Sequence, residues 1–371
     1  MNSGQLPFAT SDTAPLLVRC CDSPSGAGLV AVADRFSVSV LQPTTRSSGG
    51  TASGVSSTDL MALDFDCLGG LFPGVRARSL AWSPLTVSAV QSASSFESSP
   101  PLSGGSETQS VHTRLSLCVG GHDTLLHYLA WETDTVVADP TLAVSSSSDA
   151  TSTAPLTSPV LQTSLVLSGH RSAPIQCNFH PRTDRLTLAS IADDLTAKVW
   201  DLTTQQITAE FFTAYSPVAV QWHPSEPEQL MVAHAGGEIC IQDLRSNRVA
   251  LRMHAPSTAP LSSVDWCVLD SLRVGAASGS EWFVWDLSSS SDPLQARVGH
   301  GHSAQHFRWS NTHANVFATA GSSNLKVWDQ HRYEMPLSVS LNSWVGSLSW
   351  MPTSPCVVVG GSRKLVFASI G

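Results

Sequence analysis

Two adjacent carboxylates are the first residues of this chain whose types and spacing suggest chemistry. "SIADDLTAKVWDL", Ser190 to Leu202, sets Asp193 beside Asp194 and runs on to Trp200 and Asp201. Paired acids serve general acid/base catalysis or hold a metal, and both uses require the two groups to converge on one point. In a strand or tight turn, consecutive side chains leave on opposite sides, so these two cannot easily share a proton or an ion. The pattern places no nucleophile or further carboxylate beside them. "HGHSAQH" gathers His300, His302 and His306, which suggests zinc, but no fourth ligand is indicated.

Other chemical signatures are missing. The eight cysteines, at 20, 21, 67, 118, 177, 240, 267 and 356, form no C-x-x-C pair, so zinc-finger and thioredoxin readings lose their main support. They read as small buried hydrophobes with reduced thiols. No G-x-S-x-G, H-E-x-x-H, Walker or G-x-G-x-x-G element occurs in a useful context. We therefore expect no catalytic residue, no metal and no cofactor. Of 371 residues 42% are hydrophobic and 13% charged, with a formal net charge of −9. That balance gives no electrostatic reason to expect direct nucleic-acid binding. The first residues lack the basic and apolar regions of a secretory signal, and no stretch approaches the roughly 20 apolar residues of a membrane span. A soluble intracellular protein without membrane insertion is the expectation.

The elements that carry these residues repeat. "KVWDL", "CIQDL", "FVWDL" and "LKVWD" end on or near Asp201, Asp243, Asp286 and Asp329, spaced by 42, 43 and 43 residues. A second series sets Phe179, Trp222, Trp266, Trp309 and Trp350 apart by 43, 44, 43 and 41. Short β-rich segments accompany both series, Pro and Gly fall between them, and helical periodicity is absent. A period of this length with a Trp-Asp ending is the signature of WD40 blades. Trp82 and Pro84 stand in register with Phe179 and Pro181, and the excess between them lies in Ser/Thr-rich sequence. The predicted fold is all-β: a seven-bladed WD40 β-propeller, one domain over residues 1–371, with blades starting near Leu16, Val75, Ala173, Ser216, Pro260, Ser303 and Trp344. Low-complexity inserts at 43–58, 86–112 and 139–160 are expected as mobile loops between strands. The last blade lacks an outer strand, and the stretch around Gln5–Thr10 is predicted to supply it, because an open sheet edge invites unwanted pairing.

The WD40 resemblance implies roles for the opening residues. In such proteins a turn His, a Ser or Thr, a turn Asp and the Trp form a hydrogen-bonded chain. Here these are His170, Ser190, Asp194 and Trp200, which leaves Asp193 as an exposed turn residue. His300 precedes Trp309 by the same nine residues that separate His170 from Phe179, so it fits a turn histidine. At the mouth of the innermost strands, Arg76 and Trp344 stand out against Ala173, Ser216, Pro260 and Ser303. Trp and Arg are favoured at binding hot spots, and these two are the candidate partner contacts.

A narrower resemblance follows from the ordered phrases "GVRARSLAWSP", "LASIADDLTAKVWDL", "SPVAVQWHPSEPEQLMVAHAGGEICIQDL", "VGAASGSEWFVWDL", "FRWSNTHANVFATAG" and "GSLSWMPTSPCVVVGGSRKLVF". From about residue 15 onward the chain resembles the thirty-seven-kilodalton nucleoporin family, WD40 propellers of the Y-shaped complex in the outer rings of the nuclear pore. The resemblance implies a scaffold subunit at the nuclear envelope. It implies docking on other Y-complex nucleoporins, chiefly the large arm subunit of one hundred and sixty kilodaltons, and support of mRNA export and protein import. The inserts are longer than that family usually carries, and "KLVFASIG" lacks a terminal Trp. Fold does not fix function, so a WD40 peptide-binding adaptor, such as a targeting-signal receptor or a ubiquitin-ligase substrate receptor, stands as the alternative. A propeller enzyme would need convergent side chains near the channel, and the sequence shows none.

Overall fold

The computed structural model describes residues 2–7, 17–22, 28–34, 37–44, 64–71, 76–91, 109–137, 160–182, 184–289, 291–330, 336–341, 344–362 and 364–369. They form seven antiparallel sheets. Blade 1 is Leu17–Cys20, Val30–Ala33, Val38–Thr44 and Asp64–Leu71. Blade 2 is Ala77–Trp82, Gln109–Gly121, Leu126–Val137 and Val160–Leu167. Blade 3 is Pro174–Phe179, Thr187–Ala192, Thr196–Asp201 and Gln206–Phe212. Blade 4 is Pro217–Trp222, Gln229–His234, Glu238–Asp243 and Arg248–His254. Blade 5 is Leu261–Trp266, Arg273–Ser278, Glu281–Asp286 and Gln295–Val298. Blade 6 is Ala304–Trp309, Val316–Gly321, Asn324–Asp329 and Leu337–Ser340. Blade 7 is Val345–Trp350, Cys356–Gly361, Lys364–Ser369 and, as its outer strand, Asn2–Pro7.

The first strands of successive blades touch one another around a complete ring, from blade 1 to blade 7 and back to blade 1. This is the seven-bladed propeller. Its first strands line the axis and share one direction, which gives the molecule an entry face where they begin and an exit face where they end. The ring closes through antiparallel pairing of Asn2–Pro7 with Lys364–Ser369, Asn2 opposite Ser369 and Pro7 opposite Lys364. The closing strand thus lies three residues nearer the N-terminus than the Gln5–Thr10 expected. Residues 8–10 fall outside the described residues.

Burial explains the sequence pattern. The second strands, such as "TLASIA" and "CVVVGG", are buried along nearly their whole length, because both faces of each blade pack on a neighbouring blade. They read as continuous apolar runs for that reason. Outer strands alternate with solvent, as in Arg248–His254. Among the described residues the core divides into seven clusters, one at each blade–blade boundary. The repeated tryptophans sit in them: Trp200 between blades 2 and 3, Trp285 between 4 and 5, Trp282 and Trp328 between 5 and 6.

Two features depart from the expected repeat. In six blades the pairing of first and second strands slips at the second residue of the first strand, a β-bulge that frees that residue from the ladder. The inserts are also narrower than the composition implies. Blade 1 runs to Thr44, blade 2 resumes at Val160, and strand forms inside 86–112: Val87–Gln91 pairs with the start of Gln109–Gly121, Val87 opposite Arg114 and Gln91 opposite Ser110. The reason is pairing. Gln109–Gly121 and Leu126–Val137 extend together past the end of Ala77–Trp82, and Val87–Gln91 caps the exposed ladder of the longer pair. Thr86 anchors the junction, its Oγ1 donating to Ser116 O at 2.9 Å. The result is a three-stranded ribbon rising from the exit face of blade 2. The middles of all three inserts lie outside the described residues.

Candidate functional site

The four residues singled out around the Asp pair come together on the entry side of blade 3. Trp200 Nε1 donates to Ser190 Oγ at 2.8 Å. Ser190 Oγ lies 2.7 Å from His170 Nε2, and His170 Nδ1 lies 3.0 Å from Asp194 Oδ2. Asp194 also accepts the Arg171 N–H at 2.8 Å and the Thr196 hydroxyl at 2.7 Å. Burial pushes the Asp194 carboxyl up, but the hydrogen bonds from Thr196, Arg171 and His170 outweigh it and hold the group below its usual value. It is therefore ionised at neutral pH. His170 is held below its usual value by burial, against Asp194. A neutral imidazole facing a carboxylate must carry its proton on Nδ1, so the Ser190 hydroxyl donates to Nε2 and the chain runs one way: Trp200, Ser190, His170, Asp194.

Ser, His and Asp in this order resemble a nucleophile with its base and orienter. Here Ser190 is fully buried and already accepts the indole N–H, so no substrate carbonyl can reach it. The arrangement satisfies buried polar groups between blades 2 and 3. Thr196, missed in the sequence, is its fifth member. Blade 6 holds a shorter version: His300 Nε2 lies 2.9 Å from Thr319 Oγ1, and Trp328 Nε1 donates to Thr319 at 2.8 Å. Its turn, Ser322 and Ser323, has no carboxylate, and burial with Lys326 nearby takes His300 down to about 4. In blades 2 and 5 the indole N–H groups of Trp131 and Trp285 are buried without a partner among the described residues.

Asp193 is exposed but not idle. Its Oδ2 accepts a 2.5 Å hydrogen bond from Arg78 Nη1 of blade 2, and Ser216 Oγ of blade 4 donates to its Oδ1 at 3.4 Å. Arg78 is the bulge residue of its strand, turned out of the ladder between Ala77 and Ser79. Asp193 is thus an exposed turn residue, as expected, and its side chain also bridges three blades on the entry face.

Arg76 and Trp344 both lie on that face, Trp344 with 60% of its surface exposed. They belong to blades 2 and 7, with blade 1 between them, so they do not meet. Arg76 instead stands with Arg78 and His122, whose imidazole is lowered by burial and by these two cations. Phe212 and Tyr215, exposed on the same face at blades 3 and 4, were not distinguishable in the sequence. The trio at 300–306 is dispersed. His300 is buried as above, His302 is exposed, and His306 lies in the first strand of blade 6, where burial and Arg308 take it down to about 4. Among the described residues no three His, Cys, Asp or Glu side chains converge to hold a metal.

The exit face holds a cavity of about 260 Å³ on the axis, lined by every blade. Its wall is the aromatic series read as a landmark, Trp82, Phe179, Trp222, Trp266, Trp309 and Trp350, interrupted at Cys20 in blade 1. At six of these seven positions the preceding residue reaches the axis, Arg19, Asn178, Gln221, Asp265, Arg308 and Ser349; in blade 2 it is Ala81. Several bridge to the next blade. Gln221 donates to Asp265 Oδ1 at 2.5 Å and accepts the Trp266 N–H at 2.6 Å, and Asp265 Oδ2 accepts the Trp309 N–H at 2.7 Å. Burial pushes the Asp265 carboxyl up, against Arg308, and pulls the Arg308 guanidinium down, against Asp265. The sequence signal was present, a polar residue one position before every aromatic of the series except Trp82, which follows Ala81, but it names no face until the strands are placed.

Comparison with known proteins adds a family direction. No family model matches the chain. It is 36% identical over 207 residues to Nucleoporin Nup37 of Mus musculus and to that of Homo sapiens, in each case 54% of this chain and 62% of the relative. The matched part thus spans less than two thirds of those proteins. The WD40 β-propeller domain of Doa1 superposes with a TM-score of 0.63 at 14% identity, covering 99% of this chain and 98% of that one. This similarity supports the fold alone.

Proposed function

We propose that this chain is a nucleoporin acting as a single propeller domain, a non-enzymatic scaffold subunit of the Y-shaped complex in the outer ring of the nuclear pore. The observation that carries the reading is the 36% identity to Nup37 over 207 residues. A second supports its non-enzymatic side: the one Ser–His–Asp constellation among the described residues is closed inside a blade boundary, with Ser190 and Trp200 buried. On this reading the protein resides at the nuclear envelope in the pore. It docks on other Y-complex nucleoporins, chiefly the large arm subunit, and supports mRNA export and protein import without touching RNA itself. Arg76 and Trp344 are the contact candidates on the entry face, where exposure and residue type favour them.

The test is affinity capture of the tagged full chain from nuclear-envelope extracts, with partners identified and quantified. Recovery of Y-complex nucleoporins in near-equal amounts is expected, and Trp344→Ala should reduce it. Recovery of soluble cargo or ubiquitin-ligase subunits without nucleoporins would favour the adaptor reading, to which the exit-face cavity lends its one specific observation.

A further inference from the structure

The exit-face cavity carries two guanidinium groups with unspent hydrogen-bond donors, and its carboxylates are already engaged. Asp265 uses both oxygens, on Gln221 and on the Trp309 N–H. Asp22 accepts from Asn311 Nδ2 at 3.1 Å. Arg308 spends Nη1 on Ser263 Oγ at 3.0 Å and Phe307 O at 2.8 Å and lies 3.9 Å from Asp265 Oδ1, but its Nε is buried with no acceptor among the described residues. The Arg19 side chain lines the same cavity and makes no hydrogen bond or ion pair among the described residues. Formal charge is balanced there, two arginines against two aspartates, but hydrogen-bonding capacity is not: the surplus is in donors. Guanidinium donors are matched best by a carboxylate, which takes two parallel N–H bonds.

The surroundings select the source of that carboxylate. The cavity is below the roughly 300–1,000 Å³ of ordinary small-molecule pockets, a size that suits a side chain or two. Its rim bears three exposed aliphatic residues within five positions, Val268 at 65%, Leu269 at 49% and Leu272 at 48%. Val268 itself lines the cavity. A free carboxylate would use the arginines and leave this apolar lip bare. A peptide with an acidic residue next to apolar ones would use both.

We propose that the exit mouth of the channel is a docking site for an acidic, apolar-flanked peptide segment of a partner protein, its carboxylate received by Arg19 and Arg308 and its apolar neighbour by the lip at Val268, Leu269 and Leu272. The proposal rests on the partner-binding reading above and assigns it a second surface, opposite Arg76 and Trp344.

The test is fluorescence polarisation on the full chain with labelled, end-capped hexapeptides that share a Leu-X-Leu core, X being Glu, Gln or Lys. The Glu probe should bind at least about tenfold more tightly than the Gln and Lys probes, a difference of about 1.4 kcal/mol. Arg19→Met should abolish that preference. Val268→Asp, at an exposed position that leaves the fold intact, should weaken the Glu probe at least as much, whereas Arg76→Ala on the other face should not. Glutarate alone should fail to displace the probe below millimolar concentration. Equal binding of Glu and Gln probes, preference for Lys, absence of binding at millimolar peptide, or displacement by micromolar glutarate would each overturn the proposal. None of these would bear on the capture of nucleoporins, so the two readings fail separately.

Discussion

The Trp200 indole meets the Ser190 hydroxyl at 2.8 Å inside the boundary between blades 2 and 3, and that contact opens the line of hydrogen bonds that runs through His170 to Asp194. Ser190→Ala would leave Trp200 Nε1 and His170 Nε2 buried without partners. A loss of about 1–3 kcal/mol is expected for each buried polar group left unsatisfied. Urea unfolding should show the midpoint falling with the slope unchanged. A midpoint within error of the parent would mean that water replaces the hydroxyl.

Asp193 and Asp194 should respond differently to alanine. Asp194 accepts from Arg171, Thr196 and His170 with its side chain nearly buried, so its removal strands several donors at once. Asp193 loses an exposed pair with Arg78 and a weak contact from Ser216, an interaction worth about 0–1 kcal/mol. Thermal melts should rank Asp194→Ala well below Asp193→Ala, and the difference should persist in 1 M salt, which screens only the exposed pair.

Much of this was legible in the sequence because propellers are repetitive. The aromatic and Trp-Asp series together mark two strands in each of blades 3 to 6, and Phe179, Trp222, Trp266, Trp309 and Trp350 each end a first strand. The WD40 resemblance, laid on that register, also implied His170, Ser190, Asp194 and Trp200. Thr196 was hidden because a Thr opening a strand is common, and its hydroxyl matters only once the Asp194 turn is folded beside it. The partnership of Arg78 with Asp193 was hidden for another reason: the bulge that frees Arg78 has no signature in "RARSLAW". Composition misjudged the ends of the insert at 86–112, since ladder hydrogen bonds to a longer partner hold Val87–Gln91 in strand despite its polar surroundings.

Ring closure by the first residues can be tested by deletion. Asn2–Pro7 contributes a six-residue antiparallel pairing to Lys364–Ser369, and its loss exposes an edge at the one boundary where the two ends of the chain meet. Removing residues 1–7 should lower the melting temperature by several degrees and raise aggregation near the transition, as an unprotected edge strand would. A melting curve unchanged in position and reversibility would show that blade 7 is stable with three strands.

Stability should fall as the solution is acidified from about pH 6.5 to pH 4. His300 and His306 titrate near 6.5 when exposed and at about 4 in the fold, because burial disfavours their charged forms. Between those values the unfolded chain binds the protons and the native chain does not, so the stability fully present above pH 6.5 is lost progressively toward pH 4. A displacement of this size corresponds to at most about 3 kcal/mol per group. Urea melts at half-unit intervals should show the decline, and His300→Gln with His306→Gln should make it shallower, the remainder belonging to histidines such as His170 that burial also holds below their usual value. A flat profile in the parent chain would count against the burial of these rings.

Gly275, in the second strand of blade 5, is fitted to Phe307 of blade 6. A Cβ at Gly275 would lie 2.1 Å from two ring atoms of Phe307 and 3.0 Å from Trp309 Nε1. Phe307 cannot yield, since it stacks on Phe317 at 4.7 Å and meets Trp309 edge-on at 5.6 Å. Overpacking a rigid core in this way costs about 1–3 kcal/mol, so Gly275→Ala should destabilise the protein although alanine favours strands no less than glycine does. Phe307→Leu alone should also destabilise, by leaving a void. Combined, the two changes should cost clearly less than the sum of the singles, because the smaller side chain vacates the space that the new methyl needs. Denaturant unfolding of the four proteins measures that coupling. Additive losses would mean that Gly275 is required for its backbone and not for the room it leaves.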